Sequence, residues 1–509
     1  MQSVSPPTPY PNLFASDTVA EPFAALSPLP VWRHFSRLCA IPRPSKHEEA
    51  LRRQILDWAV LRGLGASVDA AGNLILRKPA SPGCERHPGV VLQAHLDMVC
   101  QKQSDVTHDF LTDPIRPELQ GEWLSTPATT LGADNGIGVA LILAVLEDRS
   151  LRHGPLEALL TVDEEAGMGG ARGLRPGLLQ GRLMLNLDTE DWGEFYLGCA
   201  GGLDVEVERS GSAEAPLAGG STWVIEVAGL RGGHSGVDIH EGRGNAIKLL
   251  VRVLKALEQD VAFRLATLKG GNARNALPRE AEARIVLPAD AVARLPERIA
   301  AIEGRLREEL LGIDDGLRIH AHPATPVLLP FLMTPVEQRL WLDALHAAPH
   351  GVRRMSRQIP GVVETSNNLG IADIGPAGGR CNFMARSLVD AAAHELADEI
   401  VSLFALAGTP AVKSGFYPGW KPNPDSPLLA VCQQVFARDF GGAGEVKVIH
   451  AGLECGLIGE KYPGMDIVSF GPTIRGAHAP GERVEVASVA RCWQLLVAIL
   501  GELPGGGRG

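Results

Sequence analysis

Hydrophobic and polar positions follow two patterns along the first 200 residues of this chain. Short apolar runs, such as NLILRK (73–78) and GVVLQAHLDMV (89–99), are typical of buried strands. Longer runs with helical spacing lie between and beside them, at 47–65 and at 134–148. Because strands that alternate with helices usually pair in parallel, this region predicts an α/β domain: a helix-flanked, mostly parallel sheet.

The pattern changes after residue 202. Strand-like segments, including STWVIEVAGLRG, mix with helical runs at 245–259 and 292–311, which is typical of an α+β domain with short sheets. The first 25 residues are rich in Pro and Ser, which favours a mobile segment. We therefore predict four segments: a flexible extension at 1–25, a catalytic domain at 26–202, an inserted α+β lid domain at 203–420, and the rest of the catalytic domain at 421–509.

Composition narrows the class of protein. Hydrophobic residues make up 45% and charged residues 21%, as in ordinary globular proteins, and the net charge of −11 disfavours nucleic acid or an anionic membrane as partner. The eight cysteines are widely spaced without a CxxC pair, which favours reduced thiols in a cytoplasmic protein. No apolar stretch reaches the roughly 18–20 residues that span a bilayer. We predict a cytoplasmic protein without a membrane partner.

Several predicted strands end in side chains that can bind metals. In an open α/β sheet, ligands bind at the carboxyl ends of the strands. Each residue alone has an ordinary explanation, since Asp134 can cap its helix and adjacent glutamates are usually surface charges. Together they predict one site. The candidates are His95, Asp97, Asp134, Glu164, Glu165 and Asp188.

A pair of zinc ions about 3.5–4 Å apart would use this set of side chains. His95, Asp134, Glu165 and Asp188 supply four ligands, and a fifth completes the site if one carboxylate bridges. Asp97, two residues after His95 on the same strand face, could accept the second N–H of its imidazole.

The fifth ligand stays open on spacing alone. His478 lies in the Gly/Pro-rich loop TIRGAHAPGERV, which suits a ligand, while His450 in VIHAGLECG is the alternative.

Six motifs in order resemble those of the M20 family of dinuclear zinc peptidases, most closely its aminoacyl-histidine dipeptidase (cytosolic non-specific dipeptidase) branch. They are QAHLDMV, LGADNGIGVA, TVDEEAGMGG, NLDTED, GGHSG and GAHAPGERV. The resemblance runs from about residue 28 to the end of the sequence. It implies two Zn²⁺ per chain, replaceable by Mn²⁺ or Co²⁺, and a homodimer.

The resemblance also implies a role for each matching ligand. His95 and Asp188 would hold one zinc, and Glu165 and His478 would hold the other. Asp134 would bridge the two ions. This assignment favours His478 as the fifth ligand.

Further roles follow from the same resemblance. Asp97 would orient His95. Glu164 would be the general base, and the nucleophile would be a hydroxide that bridges the two ions. The residues that would contact substrate are His234, Asn275, Arg386 and Gly452. Among them, His234 would donate to the developing oxyanion and Arg386 would pair with the terminal carboxylate of the substrate.

The predicted function is metal-dependent hydrolysis of unblocked dipeptides, particularly Xaa-His types including carnosine-like substrates. One alternative is an M20-type carboxypeptidase or N-acyl amino acid deacylase, which would share the metals. Another is a catalytically silent binding homologue. The intact ligand set together with Glu164 disfavours the silent homologue, because a binding protein has no need of a base.

Overall fold

The computed structural model describes residues 13–19, 21–215, 219–324 and 331–503. It divides into two compact units. The first unit extends to Gly198 and includes Pro422–Val448 and the chain from Glu454 onward, while the second contains Cys199–Lys421 and Ile449–Leu453. The short segment Ile449–Leu453 therefore belongs to the second unit and not to the predicted catalytic segment 421–509.

An eight-stranded sheet forms the centre of the first unit. Its four central strands are parallel to one another, and the strands next to them on either side, Leu74–Lys78 and Glu194–Cys199, pair with them in antiparallel fashion. In spatial order the strands are Gly65–Val68, Leu74–Lys78, Leu156–Thr161, Val90–His95, Leu183–Asn186, Asp466–Ser469, Glu194–Cys199 and Glu445–Ile449. Two of the central strands, Leu156–Thr161 and Val90–His95, are buried at every position, as expected for parallel strands covered on both faces.

Helices pack against this sheet. The helix Ala133–Glu147 is apolar around almost its whole circumference and packs against the helix Leu29–Cys39 and the strand Val90–His95. It is one of the most deeply buried segments of the core. The other α-helices of the first unit are Glu49–Leu61, Gly169–Gly173, Pro427–Phe440, Glu454–Lys461 and Val486–Glu502.

A smaller sheet of the first unit is formed by two hairpins that pair with each other. Its four strands, in spatial order, are Ile474–Arg475, Arg483–Glu485, Trp123–Ser125 and Glu118–Gln120. The hairpin between the first two strands contains residues 476–482, including His478.

The predicted flexible extension is corrected for its described part. Short 3-10 turns form at Leu13–Ala15 and Phe23–Ala25, and the side chains of Phe14 and Phe23 are 2% and 4% exposed. Phe14 stacks on the ring of His34. Burying two aromatic rings offsets the entropy cost of ordering this Pro-rich segment. Residues 1–12 lie outside the described residues.

The second unit is built on a nine-stranded antiparallel sheet, larger than the short sheets that the sequence predicts. Its path runs through Arg318–Pro323, Ser221–Ala228, Ala281–Leu287, Arg264–Gly270, Val363–Gly375, Gly378–Ser387, Gly201–Ser210 and Ala411–Tyr417, with Gly351–Met355 beside Val363–Gly375. Its α-helices are Ala246–Leu257, Ala289–Val292, Leu295–Glu309, Pro335–Ala347 and Asp390–Leu406. Short two-stranded ladders pair Ala213–Glu214 with Leu332–Met333, and Gly233–His234 with Ala276–Leu277.

The fold class predicted from the sequence is confirmed: a helix-flanked α/β sheet with parallel central strands, and an α+β unit within the same chain. Within the described parts of the chain, no helix combines the length and apolar character required to cross a bilayer.

Candidate metal centre and substrate groups

Adjacent parallel strands bring the candidate metal-binding side chains to one edge of the first sheet. His95 is the last residue of its strand and pairs in register with Thr161, the last residue of the neighbouring strand. Glu164 and Glu165 follow three and four residues after Thr161. Asp188 follows the strand Leu183–Asn186, which pairs with the other side of Val90–His95. The register of the sheet therefore accounts for their proximity.

Asp134 lies between two histidines. Its Oδ1 is 3.2 Å from Nε2 of His95, and its Oδ2 is 3.2 Å from Nε2 of His478. Nε2 of His95 is also 3.4 Å from Oδ1 of Asp188, and Nε2 of His478 is 3.1 Å from Oε1 of Glu165. Two triads result, one with His95 and Asp188 and one with Glu165 and His478, and Asp134 contributes one oxygen to each.

This cluster is electrostatically suited to cations. Within the described residues, its carboxylates form ion pairs with histidines and not with Lys or Arg. They raise the pKa of His478 to about 11, and they raise that of His95 well above its usual value although burial acts against it. Imidazole nitrogens and carboxylate oxygens are the donors that zinc and similar divalent metals bind. The donor set therefore fits two divalent cations that share Asp134.

Glu164 differs from its neighbour Glu165. In the part of the chain that the structure describes, its carboxylate makes no hydrogen bond or ion pair, although it lies in a third group with His95 and Glu165. Burial raises the pKa of Glu164 well above its usual value, and the nearby charges of Asp188 and Glu165 add to this rise. A carboxyl group in such surroundings is suited to accepting and releasing a proton.

Asp97 contacts not only the imidazole of His95, as the sequence predicts, but also three hydrogen-bond donors. Its Oδ1 is 3.4 Å from Nδ1 of His95, whose Nδ1 also lies 3.2 Å from the Asp97 carbonyl oxygen. In addition, the carboxylate accepts hydrogen bonds from the backbone N–H groups of Glu164 and Glu165 at 3.0 and 3.1 Å, and from Ser45 Oγ at 2.7 Å. Burial raises the pKa of Asp97, but the contact with His95 and its charge, together with the hydrogen bonds from Ser45 and Glu164, outweigh burial and lower it to about 2. Asp97 thus fixes the backbone of both glutamates.

Glu454 is a buried carboxyl group near the centre that the sequence reasoning missed. Its Oε2 accepts hydrogen bonds from Gln93 Nε2 at 2.7 Å and Thr161 Oγ1 at 2.6 Å. Burial raises the pKa of Glu454 to about 8. No local motif marks it, because it follows Gly452 and Leu453 at the start of a helix, 361 residues after Gln93.

The second unit contains a buried cation with neutral partners. Arg386 is 3% exposed, and its guanidinium donates to Tyr417 Oη at 2.6 Å, to Ser235 Oγ at 3.4 Å and to Met384 Sδ at 3.3 Å. Its Nε has no hydrogen-bond partner within the described residues. A buried guanidinium without a carboxylate is suited to binding an anionic group.

The tautomer of His234 follows from its hydrogen bonds. Its Nδ1 accepts the backbone N–H groups of Gly236 and Val237 at 3.2 and 3.0 Å. Burial, with the charge of Arg386, lowers the pKa of His234 to about 4, so the ring is neutral near pH 7. Because Nδ1 is an acceptor, the single ring proton lies on Nε2, which is therefore a hydrogen-bond donor.

The remaining candidates also lie in the second unit. The carbonyl oxygen of Asn275 accepts the N–H of Ser235 at 2.8 Å, and the residue itself is exposed. Gly452 lies in the segment Ile449–Leu453. His450, the alternative fifth ligand, is in the same segment, and its Nε2 is hydrogen-bonded to Ser366 Oγ at 2.8 Å. The structure therefore places His478, and not His450, beside Asp134 and Glu165.

Comparisons with known proteins agree with these features. The peptidase dimerisation domain of the M20 type matches residues 225–314. The chain is 44% identical to the cytosol non-specific dipeptidase of Escherichia coli (strain K12) over 479 residues, which cover 94% of this chain and 98% of the relative. It superposes on the crystal structure of aminoacylhistidine dipeptidase from Vibrio alginolyticus with a TM-score of 0.85 and 45% identity, over 95% of this chain and 98% of that chain.

A tripeptidase from Staphylococcus aureus shares the fold alone, with a TM-score of 0.53, 15% identity and coverage of 94% and 99% of the two chains. The motif resemblance is thus confirmed across nearly the whole length of the chain. The chain belongs to the M20 peptidases, in the family of the cytosol non-specific and aminoacylhistidine dipeptidases.

Proposed function

We propose that this protein hydrolyses unblocked dipeptides with the help of two divalent metal ions, and that Glu164 carries the proton. The position of Asp134 is the observation that carries the proposal: each of its two oxygens faces a different imidazole, at 3.2 Å in both cases. A carboxylate arranged in this way is suited to bridging two cations.

Five side chains would hold the metals. His95 and Asp188 would bind one ion, Glu165 and His478 the other, and Asp134 both. We propose zinc as the native metal, with Mn²⁺ or Co²⁺ as substitutes. When bound, such ions lower the pKa of water and polarise a carbonyl group.

Glu164 would transfer a proton from the attacking water to the leaving amine. Its carboxylate would accept a proton from the water that attacks the peptide carbonyl carbon, and would then donate it to the amine nitrogen as the C–N bond breaks. Its raised pKa and its freedom from ion pairs within the described residues support this role. Asp97 would keep the backbone of Glu164 in place through its hydrogen bond to that N–H.

The groups of the second unit support recognition of a small peptide. Arg386 would bind the terminal carboxylate of the substrate, since its described partners are uncharged. The Nε2–H of His234 would donate to the carbonyl oxygen as that oxygen gains negative charge. We assign Asn275 and Gly452 to the same substrate, following the M20 motifs.

Three narrower proposals complete the assignment. Xaa-His dipeptides, including carnosine-like ones, would be substrates, because one similar structure is an aminoacylhistidine dipeptidase. The match to a peptidase dimerisation domain at 225–314 supports a homodimer. The similarity to a cytosol dipeptidase supports a cytoplasmic location.

The test begins with purified protein stripped of metal by a chelator. Its activity is measured on free dipeptides, including Xaa-His, after addition of Zn²⁺, Mn²⁺ or Co²⁺, and bound metal is counted by elemental analysis. We expect two equivalents per chain and turnover of free dipeptides. Turnover only of N-acylated amino acids or longer peptides would favour the deacylase or carboxypeptidase alternatives. Metal binding without hydrolysis of any of these substrates would contradict the proposal.

A further inference from the structure

Glu482 makes an unusual set of backbone contacts four residues after His478. Its side chain is buried, with the residue 2% exposed. Its Oε2 accepts the N–H groups of Leu131 and Gly132 at 2.7 and 2.9 Å, and its Oε1 accepts those of Ala133 and Asp134 at 2.8 and 3.2 Å. One carboxylate thus binds four consecutive amides that end at Asp134.

The chemistry of this contact requires a carboxylate. An ionised carboxyl group only accepts hydrogen bonds, and its two oxygens can together take four N–H donors. The four amides precede the regular turns of the helix Ala133–Glu147, because Asp134 and Asn135 have non-helical backbone angles, so these N–H groups have no helical carbonyl to bind. The buried carboxylate of Glu482 supplies an acceptor to each of the four amides.

Arg43 holds the same segment from its carbonyl side. It is 2% exposed, and its Nη2 donates to the carbonyl oxygen of Gly132. Its Nη1 donates to the carbonyl oxygens of Leu96 and Asp97, at 2.9 Å each. Gly132 permits this approach, since its φ is +69° and a Cβ there would lie 2.5 Å from the Arg43 guanidinium. The segment 131–134 is therefore fixed on two sides.

His478 is on the same hairpin as Glu482. The loop 476–482 connects the strands Ile474–Arg475 and Arg483–Glu485, and His478 adopts a φ of +65° within it. In the described part of the chain, the loop 476–482 makes few backbone hydrogen bonds to other segments. One of them runs from the N–H of Gly481 to the carbonyl oxygen of Thr129, at 3.2 Å. The carboxylate of Glu482 is the contact that joins this loop directly to the backbone of Asp134.

We propose that Glu482 is a positioning residue that sets Asp134 and His478 relative to each other through its four amide hydrogen bonds, and so determines the affinity for the metal ion that Glu165 and His478 would hold. This inference rests on the proposed dinuclear site. Glu482 itself touches neither metal nor substrate. Its role is to keep each oxygen of Asp134 beside a different imidazole, with His478 within reach of one of them.

The substitution Glu482→Gln tests the geometry with little change of shape. An amide has one oxygen, so its NH₂ group would face two of the four N–H donors. We expect affinity for Zn²⁺ to fall by about 10- to 100-fold, which is typical when groups that orient metal ligands are lost. The measurement is a competition titration of metal-free protein against a chromophoric chelator, which gives affinity and stoichiometry without an activity assay.

Glu157→Gln is the matched control. Glu157 is 6% exposed and also caps backbone amides, because its Oε2 accepts the N–H groups of Gln180 and Gly181 at 2.7 and 2.8 Å. It lies near the start of the strand Leu156–Thr161, at the edge opposite to the metal ligands. We expect it to lower the free energy of unfolding while leaving zinc affinity and stoichiometry unchanged.

The outcomes separate the two proposals. If the wild-type protein binds no zinc, the proposed function fails. If the wild type binds two equivalents and Glu482→Gln binds them equally tightly, the role of Glu482 is overturned. Should Glu482→Gln fail to fold by circular dichroism, Glu482→Asp is measured instead, since it keeps the charge but withdraws it by roughly one bond of 1.5 Å. Wild-type affinity in a folded Glu482→Asp would also overturn the role.

Discussion

The two units of this protein bury opposite charges. In the first unit, Asp134, Glu165 and Asp188 converge on two histidines, and among the described residues no Lys or Arg pairs with them. In the second unit, Arg386 is buried against a tyrosine, a serine and a methionine. Among the described residues, the site of the first unit pairs its carboxylates with histidines alone, and the arginine of the second unit has no carboxylate partner.

Two other buried glutamates of the chain, Glu337 and Glu157, are each paired with an arginine. Arg209 makes two hydrogen bonds to Glu337 at 2.7 and 2.9 Å, and Arg77 pairs with Glu157 at 3.1 Å. An isolated buried charge is costly, so proteins usually pair it or shift its pKa. The contrast shows that the two sites, one without Lys or Arg and the other without a carboxylate among the described residues, are suited to ligands of opposite sign: metal cations in the first unit, and a carboxylate in the second.

The largest expected effect concerns the free carboxylate of the first unit. Glu164→Gln removes the proton carrier but none of the proposed ligands, so kcat for a free dipeptide should fall by about 10³-fold. Elemental analysis should find the wild-type metal content. Glu165→Gln is the control, because loss of a ligand should lower the metal content itself. Near-normal kcat in Glu164→Gln would remove Glu164 as the base.

The buried cation of the second unit should give the next largest effect. Arg386→Met removes a charge-assisted contact of about 1.5–3 kcal/mol, so kcat/KM for free dipeptides should fall by roughly 10- to 150-fold. Dipeptide amides, which lack the carboxylate, should lose little. Arg209→Met, which breaks an ordinary ion pair of the same unit, should keep the preference for free dipeptides. An equal loss on amides in Arg386→Met would show that the arginine does not recognise the carboxylate.

A third prediction tests whether a buried histidine away from both sites is neutral in the folded protein. His34 in the first unit is 0% exposed, and burial lowers its pKa to about 4 despite the neighbouring Glu147. The unfolded chain, with a histidine pKa near 6.5, then binds more protons between these values, so stability is present above pH 6.5 and is lost as the pH falls. The free energy of unfolding should drop by about 1.5 kcal/mol from pH 6.5 to pH 5.

Urea unfolding of His34→Gln and of the wild type across this pH range gives the measurement. The difference between the two slopes isolates the histidine from other titrating groups. Identical slopes would mean that His34 carries the same charge in the folded and unfolded states.

The smallest expected effect is on a neutral partner of the cation. Tyr417→Phe removes one hydrogen bond to Arg386, which is worth about 1 kcal/mol, so KM for free dipeptides should rise about five-fold with kcat little changed. Steady-state kinetics on the free dipeptide and its amide would check this. A fall in kcat comparable to that of Glu164→Gln would place Tyr417 in the chemistry and weaken the contrast between the two units.

The sequence predicts most of the candidate metal centre. Parallel strands must end at the same edge of a sheet, so three strands that end in His95, Glu165 and Asp188 predict one cluster from the hydrophobic pattern and the residue types alone. The six motifs then identify the M20 peptidases, a conclusion that the relatives confirm. The local hydrophobic pattern also predicts the helix that follows Asp134, because its apolar run is continuous.

Tertiary structure decides what depends on residues far apart in the chain. Spacing leaves His478 and His450 as alternatives, and only the folded hairpin brings His478 beside Asp134, 344 residues away. The packing of Phe14 and Phe23 against the core overrides the disordered character of their Pro-rich surroundings.

The sequence by itself thus determines which chemical groups this protein possesses and the sheet edge at which they gather, since strand periodicity and register are local properties. The sequence does not determine which hydrogen bonds and packing contacts fix those groups in position. Asp97 binding the amides of Glu164 and Glu165, Glu482 binding four amides before Asp134, and Arg386 buried without a carboxylate all depend on long-range contacts. Such contacts have no signature in local pattern, because their energy comes from burial and hydrogen bonding between segments that only the fold brings together.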